Sequence, residues 1–420
     1  MNESTKPAGC PHVDLFAPAT QQDWYPAYDD LRENDPVHLV SEAAMYVLSR
    51  YEDVAFVSKR TDLFANGPAP RAALMQDAEA LKIYKDRGLP RYAPLSTNPP
   101  VHRRYRQLVD HFFTLKAAEA QRPLVERVVN ELIDEWIDEP MGEIEFVKRF
   151  ALPLPVIVIT SMLGFPLADI PQLKLWSEAW VMPFAGGLTP EQQRYVAEKG
   201  VEFQEYILGV IADKRRDPDG SVISFLAHTT FDAADGPRPL TDEEILFTTD
   251  HLYIGGNETT TFALTSGLWL MLRSDSGEAQ DRLRADPSLV PQFVEENLRL
   301  ESPTQGLYRH TLEDVVVGDT LIPKGSTVHL RFAAANRDNR MFASPATLDL
   351  DRSNSARHMA FGVGEHHCPG AGLSRFEQTV AFETLLRRTS RLSLLDSNEY
   401  RHQAGFVLRA LEQLHVGFSR

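Results

Sequence analysis

Between Thr241 and Arg273 the sequence keeps an apolar helical period without a break, and this sets the scale of everything around it. At 1.5 Å per residue such a helix is roughly 50 Å long, so it must cross the whole molecule and the other elements must pack against it. Its start is marked by Thr241-Asp242-Glu243-Glu244, a capping box in which the Thr and Glu side chains satisfy each other's end amides. Its middle reads Gly255-Gly256-Asn257-Glu258-Thr259-Thr260-Thr261. Adjacent glycines cost about 1 kcal/mol each in a helix interior, and β-branched threonines add to the penalty. A long helix with such a weakness at its centre predicts that something approaches its backbone closely there.

The same period recurs from Lys116 to Trp136, Ile170 to Trp180, Pro190 to Lys214, Leu289 to Leu300 and Ser374 to Arg388. Phe150 to Ala168 is uncharged and nearly long enough for a bilayer, but Pro153, Pro155, Gly164 and Pro166 interrupt it. A buried helix with entry and exit loops is expected there. Strand-like pieces are short and scattered, at Val37 to Val40, Ala44 to Leu48, Val315 to Val317, Thr327 to Phe332 and Leu414 to Phe418. They are too few for a central sheet and predict satellite sheets on a mainly α chain, α+β in class. No repeat or Gly/Ser linker divides the sequence, so one domain over residues 1–420 is expected, with 1–20 as a flexible start.

Charge and cysteine content narrow the function classes. Forty-three basic and fifty-nine acidic residues leave a net charge of -16, which argues against nucleic acid or an anionic membrane surface as partner. The first twenty residues have neither a basic start nor an apolar run, so a cytoplasmic protein without a membrane span is expected. The two cysteines, Cys10 and Cys368, lie at opposite ends of the chain and make no disulfide framework.

Cys368 lies in Phe361-Gly362-Val363-Gly364-Glu365-His366-His367-Cys368-Pro369-Gly370, directly before the last helical run. Gly362 and Gly364 permit backbone conformations and close approaches that a Cβ would block, and Pro369 suits the first position of a helix. Cys368 is then expected at a helix N-terminus, where amide dipoles favour a thiolate. A lone thiolate beneath a glycine-rich loop can serve as axial ligand to a flat cofactor. The same residues also admit a buried, inert cysteine. Zinc is disfavoured, because the adjacent His366, His367 and Cys368 cannot easily wrap one tetrahedral ion.

This segment resembles the signature of the cytochrome P-450 haem-thiolate monooxygenases: Phe, two glycines, a basic residue two before the cysteine and a glycine two after it. Three further segments fall in that family's order. They are His102-Arg103-Arg104-Tyr105-Arg106; the Gly255 to Thr261 helix centre; and Glu296-Asn297-Leu298-Arg299 followed by Ala335-Asn336-Arg337-Asp338 and Phe342. The resemblance implies a single-domain, triangular, mainly helical fold holding haem b, with Cys368 on the iron. Phe361, Gly362, Gly364 and Gly370 would shape the ligand loop. His102, Arg106, Arg309 and His366 would bind the haem propionates. Glu296, Arg299 and Arg352 would form a buried ion-pair knot serving folding. Gly255 and Gly256 would let O2 sit against the helix, with Glu258 and Thr259 as the acid and alcohol that deliver protons. The implied reaction inserts one atom of O2 into a small apolar substrate: terpenoid, aromatic, steroid-like or fatty acyl.

No G-x-G-x-x-G follows a strand anywhere, so electrons are expected from outside, and the resemblance implies a ferredoxin-type donor with its reductase. His102, Arg103, Arg104, Arg106 and Arg375 would form a basic patch for that donor. A peroxide-driven variant is disfavoured by the intact Glu258 and Thr259, and a haem-based sensor or ligand-binding protein is the non-enzymatic alternative. Expected substrate walls are Gly67 to Leu95, Trp176 to Thr189, Gln305 to Leu307 and Phe406 to Leu408, with His251, Ile254, Leu307, Phe406 and Val407 as pocket residues. His251 would hold a polar end of the substrate, or a water.

Overall fold

The computed structural model describes residues 13–66, 75–89, 93–139, 142–185, 187–234, 236–273 and 278–420. Cys10 and part of the expected wall from Gly67 to Leu95 lie outside them. The helices that build the site are α1 (Tyr25–Asn34), α2 (Tyr51–Lys59), α3 (Val101–Val109), α4 (Pro153–Leu163), α5 (Ile170–Val181), α6 (Pro190–Arg216), α7 (Asp242–Leu272), α8 (Val290–Leu300) and α9 (Ala371–Arg388). The run expected from Lys116 to Trp136 is two helices, Leu115–Ala120 and Arg122–Asp134. Pro123, with no amide hydrogen, sits in the first turn of the second. Among the described residues no helix is long and apolar enough to cross a membrane.

α7 starts as its sequence dictates. Thr241 Oγ1 accepts from the Glu244 amide at 3.2 Å, and Glu244 Oε2 accepts from the Thr241 amide at 2.7 Å. Threonines inside α7 back-bond to carbonyls four residues earlier, as Thr261 does to Asn257 and Thr265 to Thr261. Both flanks of α7 are buried, against α4, α5 and α6 on one side and α8 and α9 on the other.

Five strands form the larger sheet: β1 (Val37–Val40), β2 (Met45–Leu48), β3 (Phe64–Ala65), β4 (Leu307–Thr311) and β5 (Thr327–Leu330), in the order β1-β2-β5-β4-β3. β5 runs parallel to β2, with Thr327 opposite Met45, and antiparallel to β4, with Thr327 opposite His310. The strand expected to reach Phe332 ends at Leu330, and Phe332–Ala335 turns into a short helix. Glu143–Glu145, Arg391–Leu394 and His415–Ser419 pair as a second, three-stranded sheet.

Buried apolar residues fall into three groups: a main core around α4, α7, α8 and α9, one between α2 and the five-stranded sheet, and one joining α1 to β2 and the Phe406-Val407 loop. Behind α9 lies a fully buried ion-pair knot. Arg299 donates to both oxygens of Glu296 at 2.6 and 2.9 Å, and Arg352 Nε lies 3.0 Å from Glu296 Oε1. The remaining Arg299 donors reach the carbonyls of Asn336, Pro345 and Thr347. A buried pair this well satisfied repays its desolvation and pins α8 to the chain beyond it.

Candidate active site

The Cys368 loop is shaped by two glycines in the left-handed region, Gly362 at φ +68° and Gly364 at φ +79°. A Cβ on Gly364 would lie 2.9 Å from the Ser58 carbonyl oxygen in α2, so only glycine lets the loop pass there. The Cys368 amide donates to the Phe361 carbonyl at 2.9 Å and that of His367 to Gly364 at 3.1 Å, closing the loop on itself. α9 begins only at Ala371, with Gly370 as its N-cap, so Pro369 is not its first residue and Cys368 lies two residues before the cap. The helix-end effect still reaches the sulfur. Burial pushes the thiol up, while the amides of Gly370 and Ala371 and the charges of Arg106 and Arg375 oppose that rise.

Facing this loop is an electropositive cradle. His102 is buried, with Nε2 lacking a hydrogen-bond partner among the described residues and Nδ1 3.4 Å from Glu365. Its ring centroid lies 4.1 Å from that of His366, whose Nδ1 is 3.1 Å from the Asn66 side-chain nitrogen. Burial first, then the positive fields of His102 and Arg309, pushes His366 down to about 3. Arg309 is 6% exposed, and among the described residues no carboxylate pairs with it; its Nη1 donates to the Tyr308 carbonyl, and burial lowers it to about 10. A buried guanidinium without an acid and a buried imidazole nitrogen without a partner are costly unless an anion joins them. Arg106 is placed differently, bound to Asp110 at 2.7 Å and donating to the His367 carbonyl at 2.7 Å.

At the centre of α7 the two glycines have different tasks. Gly255 is exposed at the centre of a helix most of whose residues are buried, and a Cβ there would meet nothing within 4 Å. A Cβ on Gly256 would lie 2.8 Å from Ile159 Cγ1, so this glycine lets α4 pack against α7 rather than opening a cavity. Thr259 Oγ1 donates to the Gly255 carbonyl at 2.8 Å. Glu258 is 5% exposed, and its Oε1 accepts from Lys174 Nζ and from Ser177 Oγ, both at 2.6 Å. Asn257 donates to the same Ser177 hydroxyl at 3.1 Å. Lys174, Glu178 and Glu258 line a cleft of about 400 Å³, with Met182, Phe184 and Leu408 among its apolar walls. The sequence offered no signal for Lys174 and Ser177, since their partner lies on a different helix.

A family model described as Cytochrome P450 matches residues 172–409. The chain belongs to the cytochrome P450 family. It is 31% identical over 416 residues to a "Cytochrome P450" of Bacillus subtilis, covering 96% of each chain. Among solved structures it resembles P450BioI in complex with hexadec-9Z-enoic acid ligated acyl carrier protein, with a TM-score of 0.85 and 30% identity over 96% of this chain and 99% of that one. It also resembles CYP109E1 from Bacillus megaterium in complex with testosterone, with a TM-score of 0.82, 30% identity and coverage of 96% and 99%. This P450 is therefore a haem monooxygenase of the bacterial type with the P450 fold. Its residues fit haem: a thiol held in a tight loop, an anion-seeking cradle of His102, Arg309 and His366, and open space over Gly255.

Two expectations need correction, the basic patch and the role of Gly256. Phe406 and Val407 are 5% and 2% exposed and pack with the α1 core, where Phe406 stacks on Phe16 at 5.1 Å and packs edge-on to Trp24 at 6.0 Å. Ile254 is buried, Leu307 is exposed, and His251 is half-buried one turn before Gly255. The basic patch is largely cancelled, since His102 is buried, Arg103 is bidentate on Glu365, Arg106 is paired with Asp110, and Arg375 is bidentate on Glu295. Gly256, finally, is a packing residue.

Proposed function

We propose that this P450 oxidises a small apolar molecule, that a ferredoxin-type protein and its reductase supply the electrons, and that Glu258 and Thr259 deliver the protons. The observation that carries this reading is the position of Glu258, a buried carboxylate between a cleft and the open centre of α7, held by Lys174 and Ser177. Haem bound through the Cys368 thiolate supplies the activation of O2, with the sulfur donating electron density. His102, Arg309 and His366 would hold its carboxylates, which a buried pocket cannot leave unpaired. Glu258 takes up protons at Oε1 by way of Lys174 and the cleft. Thr259 spends its own proton on the Gly255 carbonyl, so its lone pairs stay available to accept a hydrogen bond from the cavity side. Apolar neighbours such as Ile254 keep bulk water out, which strengthens each of these interactions.

The substrate class rests on the apolar surroundings and on relatives whose bound molecules, testosterone and a C16 fatty acyl chain, are apolar and differ in shape. The test is reconstitution with a ferredoxin and its reductase, after a compound library has been screened for displacement of water from haem iron. NADPH consumption matched by an oxygenated product is expected. Steady consumption without product from any compound that shifts the spectrum would overturn the monooxygenation reading. Cys368→His should lose the red-shifted Soret band of the carbon monoxide complex, and retention of that band would exclude Cys368 as ligand.

A further inference from the structure

Glu295 on α8 is part of no catalytic element described above, yet it is the centre of a closed network beneath the Cys368 loop. It accepts both fork nitrogens of Arg375, Nε at 2.5 Å and Nη2 at 3.1 Å, and its Oε2 lies 3.2 Å from His358 Nε2. The opposite ring nitrogen, His358 Nδ1, accepts from the Ala360 amide at 3.1 Å, which leaves the proton of the neutral ring on Nε2, the nitrogen nearer Glu295. The Arg375 guanidinium stacks on Phe361, 4.5 Å from its centroid, and the Phe361 carbonyl receives the Cys368 amide at 2.9 Å. One carboxylate therefore fixes an arginine, a histidine and the aromatic residue that anchors the ligand loop.

The charges near the sulfur make this network more than a brace. Arg106 and Arg375 are the cations whose fields act on Cys368, and each is matched by one carboxylate: Asp110 for Arg106, Glu295 for Arg375. Asp110 has a side chain 48% exposed, so water already screens that pair. Glu295 has a side chain only 15% exposed, and burial alone would raise its carboxyl, but His358 and Arg375 hold it down at about 2. It is a fixed negative charge in a region of low dielectric, where charge counts most.

We infer that Glu295 is a positioning residue that sets the electron donation of the Cys368 thiolate by cancelling the charge of Arg375 beside it. An uncancelled cation near the sulfur would withdraw charge from the ligand and favour the reduced iron; an uncancelled carboxylate would do the reverse. The inference rests on Cys368 being the iron ligand.

The test is a spectroelectrochemical titration of the haem-loaded protein, paired with the C–O stretching frequency of its ferrous carbon monoxide complex. Glu295→Gln should raise both the potential and the frequency. Arg375→Gln should lower both, and the double variant Glu295→Gln/Arg375→Gln should return close to wild type, since it removes equal and opposite charges. Asp110→Asn should move the potential less than Glu295→Gln does. Loss of packing alone would move both single variants the same way and add in the double variant, and that result would overturn the inference, as would two unshifted single variants. If Arg375→Gln loses haem, Arg375→Lys, which keeps the charge, should hold a potential near wild type; a fall would count against the charge argument. Failure of the ligand assignment is read separately, as a wild-type carbon monoxide complex without the thiolate Soret band.

Discussion

Gly255 and Gly256 are neighbours in one helix, yet alanine should act on them with opposite sign. At Gly255 the added methyl meets nothing within 4 Å. The helix then recovers the glycine penalty, about 1 kcal/mol of stability. At Gly256 the same gain is set against a Cβ placed 2.8 Å from Cγ1, 3.0 Å from Cδ1 and 3.3 Å from Cβ of Ile159. Ile159 is buried and β-branched, so it has little freedom to turn away. Overpacking of this kind costs roughly 1–3 kcal/mol, which leaves Gly256→Ala between about 0 and 2 kcal/mol less stable than wild type. With unfolding entropy near 2.1 cal/mol/K per residue, 1 kcal/mol moves the midpoint of a chain this long by only about 1 °C. Calorimetry must therefore compare the two alanines side by side, with Gly255→Ala melting higher by about 1–3 °C. The sharper assay is a cycle with Ile159→Ala: in that background the contacts to Cγ1 and Cδ1 are gone, only the 3.3 Å approach of the two Cβ atoms remains, and Gly256→Ala should lose most of its penalty. Gly255→Ala, the more stable variant, should bind carbon monoxide more weakly, because its methyl enters the open space. A destabilised Gly255→Ala, or a Gly256→Ala penalty that survives Ile159→Ala, would refute the division of labour.

Other expectations follow from the same geometry. Lys174→Met strips Glu258 of its cation and should slow turnover and enlarge its solvent isotope effect while leaving the carbon monoxide spectrum unchanged; an unaltered rate would remove Lys174 from proton delivery. Thr259→Ala should retain substrate binding but divert reducing equivalents to hydrogen peroxide, read as the ratio of product to NADPH. Glu244 is held at about 2 although burial opposes it, because Arg238, Tyr105 and the Thr241 amide bind its carboxylate. Its folded value lies below its unfolded one, so its stabilisation is complete above about pH 4.5 and is lost as the pH falls toward 2. Glu244→Gln should cost on the order of 2–3 kcal/mol at neutral pH and flatten the acid limb of stability against pH, and an unchanged acid limb would count against the assignment.

Local chemistry made much of this molecule legible before its fold was considered. The capping box at Thr241 and Glu244 involves residues three apart, and the left-handed turns at Gly362 and Gly364 involve backbone that only glycine adopts cheaply, so both are written in short stretches of sequence. Cys368 and the Glu258-Thr259 pair stand out because their short segments resemble motifs of the family. What the chain could not disclose was the identity of partners brought from far away. Lys174 and Ser177 reach Glu258 from another helix, across more than eighty positions of sequence. Glu295 reaches Arg375 across eighty, and Asp110 and Glu365 cancel arginines that look like a bare basic patch when charges are simply counted along the chain. Phe406 reads only as an apolar residue, and its contacts with Phe16 and Trp24 come from the far end of the chain. Gly255 and Gly256 are identical in sequence and differ only in which side of α7 meets Ile159. The sequence by itself determined which groups can do chemistry and where α7 starts, because those depend on covalent identity and near neighbours. Only the tertiary structure decided which charges are cancelled, which glycine opens a cavity and which aromatic is core, because Coulomb energy and packing depend on distances that chain separation does not set.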